Sequence, residues 1–497
     1  MTHLKINILL IPALILTMNV EAQQLLTLEH CRELAIENNK SLKMAEEEVN
    51  KATYQKRAAF SNYLPKFSAA GTYMYNSRNP QLVSDQTLDA VEWLDDGVQS
   101  GINTLNNYIA TLMSDPQMIP FVLNNPQILE MIQQLYNVES TLTAIGNDVE
   151  NALQPNIQNV MAGMVSVQQP LFAGGKIIAY NKIANDAKEV AKLKLDMQQQ
   201  EVSVNVDKTY WQIVSLAAKA ELTQKYVELL QTMTSNVEVM VAEGVATESD
   251  HLAVKVKLNE AEVMLIKANN GLALSRMLLC QQCGLPLDSD IILADEKIEG
   301  LTLIPSRTEY SLDDIEDHRP ELKCLSLAND IYRHKISVER AEYLPTIAAF
   351  GNYIATSPSC FNGIQTDLNG FWNFGVMAKI PLFHWGEGYN KVKMAKAEQH
   401  IAELNYEETK EKIMLQVSQC EKQIDEADAR LKMSEEKMSD AEENLRMATI
   451  GFSEGVVTAS VLNQAQTAWL QAHSEHIDAK VDRIMADVYL RKAVGNL

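Results

Sequence analysis

The chain passes twice from a short alternating stretch, through Pro-Leu-Phe and a glycine, into a long run free of helix breakers. The first passage is QQPLFAGGKIIAYNKI at 168–183, after which no Gly or Pro occurs until Gly244. The second is IPLFHWGE at Ile380–Glu387, and beyond Gly388 neither residue occurs until Gly451. A helix over residues 176–243 would span roughly 100 Å at 1.5 Å per residue. That is far longer than a globular-domain helix.

These junctions belong to a larger repeat. YLPKFSAAGTY (Tyr63–Tyr73) matches YLPTIAAFGNY (Tyr343–Tyr353) at an offset of 280. PLFAGGK (Pro170–Lys176) matches PLFHWGE (Pro381–Glu387), EGVAT (Glu243–Thr247) matches EGVVT (Glu454–Thr458), and Gly284 matches Gly495, all at an offset of 211. The chain reads as a duplication whose first half carries about 70 extra residues.

Each half holds two candidate strands. In GFWNFGVMAKIPLF, Trp372, Phe374, Val376, Ala378 and Ile380 fall on one face, with Asn373, Gly375, Met377 and Lys379 on the other. Such period-two alternation marks a strand with one apolar face. MVSVQQPLF sets Val165 and Val167 against Ser166 and Gln168. Phe67, Ala69, Tyr73 and Tyr75 share a face in the first strand, as do Ile347, Ala349 and Tyr353 in the third. Four antiparallel strands are too few to close a barrel, which needs about eight even when filled. They either pair with strands of other chains or form an ordinary sheet in water.

The helices carry coiled-coil seams. Ile413, Val417, Cys420, Ile424, Ala427 and Leu431 step by alternate fours and threes, and Val202, Val206, Thr209, Ile213, Leu216 and Ala220 do so in register. Each outgoing helix reverses at Glu-Gly-Val: glycine takes the left-handed conformation that ends a helix, and Thr caps the next. The return helices are expected over Glu248–Cys283 and Ala459–Val494, with further helices over Leu28–Phe60 and about Leu312–Glu342.

The formal net charge of −22 argues against a nucleic-acid partner. Residues 1–22 read as a signal peptide, with Lys5, the apolar run Ile8–Val20 and a small-residue cleavage site at Ala22. No later stretch approaches a membrane-spanning helix, so the mature chain is either soluble or crosses a membrane as β-strands. The six cysteines do not form a dense disulfide framework; Cys280 and Cys283 read as a disulfide or as two free thiols near a helix end. No metal-ligand, nucleophile-elbow or P-loop motif occurs, so no enzyme activity, cofactor or metal site is expected. Two other readings stay open at this level: a secreted coiled-coil structural or adhesin-type protein, and a soluble sheet-plus-helix binding protein.

LTLEHCRELAIENNKSL (Leu26–Leu42), HRPEL (His318–Leu322), the two Tyr-Leu-Pro and the two Pro-Leu-Phe-x-x-Gly stretches, in this order, resemble the TolC family of outer-membrane efflux ducts. The resemblance implies an α+β membrane protein with two internal repeats. It forms a homotrimer whose 12-stranded β-barrel, four strands per chain, meets outer-membrane lipid and continues as a long periplasmic α-helical barrel. It implies a passive exit duct opened at its periplasmic tip by an adaptor (membrane fusion) protein and energised by an inner-membrane pump. The expected layout is a signal peptide at 1–22, a periplasmic helix at 23–62, strand 1 at 63–77, an extracellular insertion at 78–161 and strand 2 at 162–173. A helical hairpin at 174–284 and an inter-repeat equatorial segment at 285–311 follow. The second repeat has a helix at 312–342, strands 3 and 4 at 343–383 and a hairpin at 384–497. Within the insertion, DQTLDAVEWLDDGVQSGINTLNNYIATLMS reads as an amphipathic helix and a second helix follows Asn125; the segment is a plug, a ligand contact or a trimer-stabilising loop.

The resemblance also marks the hairpin tips as the gate. Asp250 stands where the family has a tip aspartate of the closing network, and Glu243, Glu248 and Glu454 add charge around the aperture. Gly244, Val245, Thr247, Gly455, Val456 and Thr458 are the expected adaptor contacts. The second half departs from the family pattern: Val457, Val461 and Gln464 replace charged positions. The acids are otherwise solvated turn residues or helix N-terminal acids favoured by the dipole.

Overall fold

The computed structural model describes residues 24–78, 84–114, 158–297, 312–359 and 367–496, with scattered helical positions between 127 and 149. The predicted signal peptide lies outside the described residues, as does most of the second helix expected after Asn125. The chain divides into two compact units, one comprising residues 1–59, 178–339 and 389–497, the other 60–177 and 340–388.

The second unit is built on a four-stranded antiparallel sheet. Its strands are β2 (Lys66–Tyr75), β3 (Asn159–Ala173), β5 (Thr346–Ser357) and β6 (Asn369–Lys379), in the order β2-β3-β5-β6. Register places Phe67 opposite Val167, Gly351 and Phe374, and Ala69 opposite Val165, Tyr353 and Trp372. The intervening row is Ser68, Ser166, Asn352 and Asn373. Within it, the Ser68 and Ser166 hydroxyls are 2.6 Å apart and Asn352 Nδ2 donates to Asn373 Oδ1 at 2.9 Å. One face is thus rich in exposed aromatics, Phe374 at 77 % and Trp372 at 69 %, and the other carries a hydrogen-bonded polar row. This is the alternation expected from the sequence, and it follows from the two-residue pleat. The DQTL segment forms one helix, α3 (Asp85–Ser114).

The helical unit holds two long hairpins. α4 (Lys176–Ala242) returns as α5 (Glu248–Cys283), and α8 (Glu387–Ser453) returns as α9 (Ala459–Val494). Both outgoing helices have 67 residues and both return helices have 36. The predicted seams are buried or half-buried: Val206 and Ile213 lie in the main cluster, Ile413, Val417 and Cys420 in another. No helix among the described residues is long and apolar enough to cross a membrane.

Three expectations change. Residues 23–62 are not one helix but a strand β1 (Gln24–Leu26), helices α1 (Leu28–Asn38) and α2 (Lys40–Phe60) and a 3₁₀ turn. Asn39 makes the break: its backbone is extended (ψ 126°) and its Oδ1 accepts from Ser41 N at 2.8 Å, so it ends one helix and caps the next. Residues 312–342 split likewise into α6 (Leu312–His318) and α7 (Pro320–Ala341), because Pro320 suits a first helical turn but leaves Arg319 outside both helices. The inter-repeat segment contains β4 (Ile291–Leu293), which pairs in parallel with β1.

Candidate functional site: the hairpin tips

Both reversals use the same backbone device. Gly244 (φ 75°) and Gly455 (φ 73°) are left-handed. Val245 N–H donates to Met240 O at 2.9 Å and Gly244 N–H to Val241 O at 3.1 Å. Val456 N–H donates to Gly451 O at 2.8 Å and Gly455 N–H to Phe452 O at 3.1 Å. These paired bonds satisfy the last helical carbonyls, and only a residue without Cβ takes that conformation without cost. Val245 and Val456 consequently project outward, 70 % and 80 % exposed.

The return helices start differently. At α5, Thr247 and Asp250 form a reciprocal capping box: Asp250 N donates to Thr247 Oγ1 at 3.2 Å and Thr247 N to Asp250 Oδ2 at 3.1 Å. Thr247 Oγ1 also donates to Asp250 Oδ2 at 2.7 Å. These bonds hold the Asp250 carboxyl below the usual carboxylate range. At α9, Thr458 stands at the cap but makes no side-chain capping bond, and Val461 at the third position has no side-chain acceptor for the reciprocal one. Glu243, Glu248 and Glu454 are exposed.

The two hairpins share one apolar core near these turns. Met233, Val237 and Val254 pack with Ala448, Phe452, Ala459, Leu462 and Ala465. A groove of about 570 Å³ lies between the starts of α5 and α9, lined by Asp250, Lys257, Ser460, Asn463, Gln464 and Gln471 among others. The structure therefore brings the predicted tip residues of both halves to one end of the helical unit. Asp250 faces this groove while engaged in its own helix cap.

Sequence reasoning missed the charged clamps further along the hairpins. Arg32 donates to fully buried Asp207 through Nε at 2.6 Å and Nη2 at 2.5 Å. Tyr210 Oη donates to Asp295 at 2.7 Å, and burial raises its phenol pKa above the ordinary value. Lys219 pairs with Asp478 at 2.6 Å across α4 and α9. The partners of the Arg32 clamp are 175 residues apart, and nothing local in the sequence links them.

The chain is a member of the outer membrane efflux protein family, whose family model matches residues 137–284 and 312–496. It is 23 % identical over 338 residues to the alkaline protease secretion protein AprF of Pseudomonas aeruginosa, covering 67 % of this chain and 69 % of that protein. It is 19 % identical over 416 residues to the outer membrane protein TolC of Vibrio cholerae, covering 83 % of this chain and 93 % of that one. The solved structure of VceC from Vibrio cholerae shares the fold, with a TM-score of 0.67 and 15 % identity over 94 % of this chain and 96 % of the other. The protein is thus an outer-membrane channel-family member, and the adhesin-type reading is not favoured.

Proposed function

We propose that three copies join their sheets edge to edge into a 12-stranded barrel through the outer membrane, continued by a hollow helical tube across the periplasm. The assembly is the passive exit duct of a tripartite efflux or secretion system, not an enzyme. The observation that carries this reading is the four-stranded sheet. It ends at β2 and β6 and presents one aromatic and one polar-rowed face. In hydrocarbon an open sheet edge leaves backbone groups without partners, and four strands cannot close around a bore. Pairing with further copies resolves both problems, with Trp372 and Phe374 toward lipid and the Ser–Asn row toward water.

The helices add support. Leu252, Val256, Val263 and Ile266 of α5 are each at least half exposed, as are Met394, Ile401, Leu404 and Leu415 of α8. The α8 set steps by 7, 3 and 11, the spacing of a coiled-coil seam, and it is left uncovered by the described residues.

In this reading Asp250, Glu248, Glu243 and Glu454 ring the periplasmic aperture. Gly244, Val245, Thr247, Gly455, Val456 and Thr458 meet the adaptor, which opens the tip, while an inner-membrane pump supplies the energy. The test is single-particle imaging of protein extracted by detergent from the outer-membrane fraction. A hollow three-fold particle with a roughly 30 Å membrane belt and a tube of about 100 Å is expected. A rod without a belt, or protein confined to the soluble fraction, would overturn the reading.

A further inference from the structure

Three buried cysteines share the apolar cluster at the base of the first hairpin, and neither the channel nor its gate uses them. Cys31 of α1 and Cys280 and Cys283 of α5 are 0 %, 1 % and 0 % exposed. Cys283 Sγ lies 3.5 Å from the Cys31 carbonyl oxygen. Interaction between the two neighbouring side chains lowers the Cys31 pKa and raises that of Cys283. The surrounding frame holds them together: Asn39 Nδ2 donates to Gln282 O at 3.2 Å, and β1 pairs with β4.

We propose that Cys31 and Cys283 form a disulfide in the exported protein, clasping α1 to the end of the first hairpin. The bond arises by exchange with a protein disulfide of the oxidising compartment outside the inner membrane. The two thiols give up two protons and two electrons, one sulfur–sulfur bond forms, and the donor disulfide is reduced to its dithiol.

Cys280 is the wrong partner for Cys283. Residues three apart on a helix hold their Cβ atoms about 5–6 Å apart, whereas a disulfide needs about 3.5–4.5 Å. A metal is not the alternative either, since no group of ligating side chains that could hold one occurs among the described residues.

Comparison of the two halves shows what the clasp does. Arg319 stands at the offset of 280 from Asn39 and donates through Nη1 to the carbonyls of Lys492 at 2.9 Å and Ala493 at 3.0 Å. It ties the end of α9 to the break between α6 and α7. Asn39 makes one such bond, to Gln282 O. At the matching offsets, Cys31 and Cys283 correspond to Ser311 and Val494. The half with the weaker polar tie is the half with the cysteine pair.

The experiment alkylates the full-length wild-type protein, taken from the outer-membrane fraction, with a maleimide under non-reducing denaturation, and maps the digest by mass spectrometry. Expected is a cross-linked peptide pair containing Cys31 and Cys283, abolished by reductant, with Cys280 alkylated. The channel reading is needed only for export, and the same digest reports export through loss of residues 1–22. A processed N-terminus with Cys31 and Cys283 both alkylated overturns the disulfide alone. An unprocessed N-terminus with free thiols counts against export as well. A link through Cys280 also overturns the assignment. As a second measure, reductant should lower the Tm of the wild type and leave that of the double variant Cys31→Ser/Cys283→Ser unmoved; equal shifts in both would refute the clasp.

Discussion

Asp250 is bound into its own helix cap, so the gate role proposed for it can be tested through that cap. Its Oδ2 accepts from both the backbone and the hydroxyl of Thr247. Asp250→Ala should therefore cost roughly 0.3–1 kcal/mol of local helix stability, the usual worth of an acid in the first turn of a helix. In reconstituted channels it should raise basal conductance by fraying the start of α5. Unchanged conductance in a well-inserted mutant would remove Asp250 from the gate. The pH dependence has a definite sign. The folded pKa is depressed, so this stabilisation is complete at neutral pH, above the ordinary carboxylate value. It is lost as pH falls through that value and then through the lower folded one. Basal conductance should accordingly rise with acidification, and less so in Asp250→Ala. Arg32 makes a larger effect testable. Replacing it with Met strands the buried Asp207 carboxylate, and removal of one partner of a buried pair costs roughly 3–5 kcal/mol. Thermal unfolding followed by helical circular dichroism should show the loss, with partial recovery when Asp207→Asn is added.

At the scale of elements, the strands and hairpins were legible because each repeats a short period many times. Trp372, Phe374 and Val376 announce a strand face by alternation, and the two Glu-Gly-Val turns announce their own left-handed glycines. β1 and β4 were not legible: each has three residues, too few for a period, and their pairing joins the start of the chain to Ile291–Leu293. The helix break at Arg319 did leave a signal, Pro320, whereas the break at Asn39 is carried by a side-chain cap and by a carbonyl of α5. Thr247 was legible as a cap, whereas its reciprocal bond with Asp250 is a finding of the structure. The two sheet faces give the next prediction. Phe374→Arg should cost about 2–4 kcal/mol if that residue meets the bilayer midplane, and should reduce oligomer recovered from the outer membrane. Asn373→Asp, one residue away on the opposite face, should leave assembly intact and alter conductance. Equal effects of the two would contradict the assignment of faces to lipid and water.

For the whole molecule, the net charge of −22 per chain bears on what passes through it. Most of that charge cannot act on an ion in the duct, because exposed charges more than about 10 Å away are screened at 0.1 M salt. The acids that matter are those at the narrowest point, which in the proposed trimer are Glu243, Glu248, Asp250 and Glu454 of each chain. A like-charge ring in a water-filled constriction draws cations and repels anions. The channel in a planar bilayer should therefore be cation-selective, with a reversal potential in a potassium chloride gradient that shrinks when all four acids are replaced by their amides. If selectivity survives that replacement, the lumen wall rather than the tip sets it. Salt dependence separates a tight ring from a loose one. At 1 M the screening length falls to about 3 Å, so selectivity that persists there requires carboxylates within that reach of the permeating ion. Selectivity that collapses places them at the rim of a wider opening.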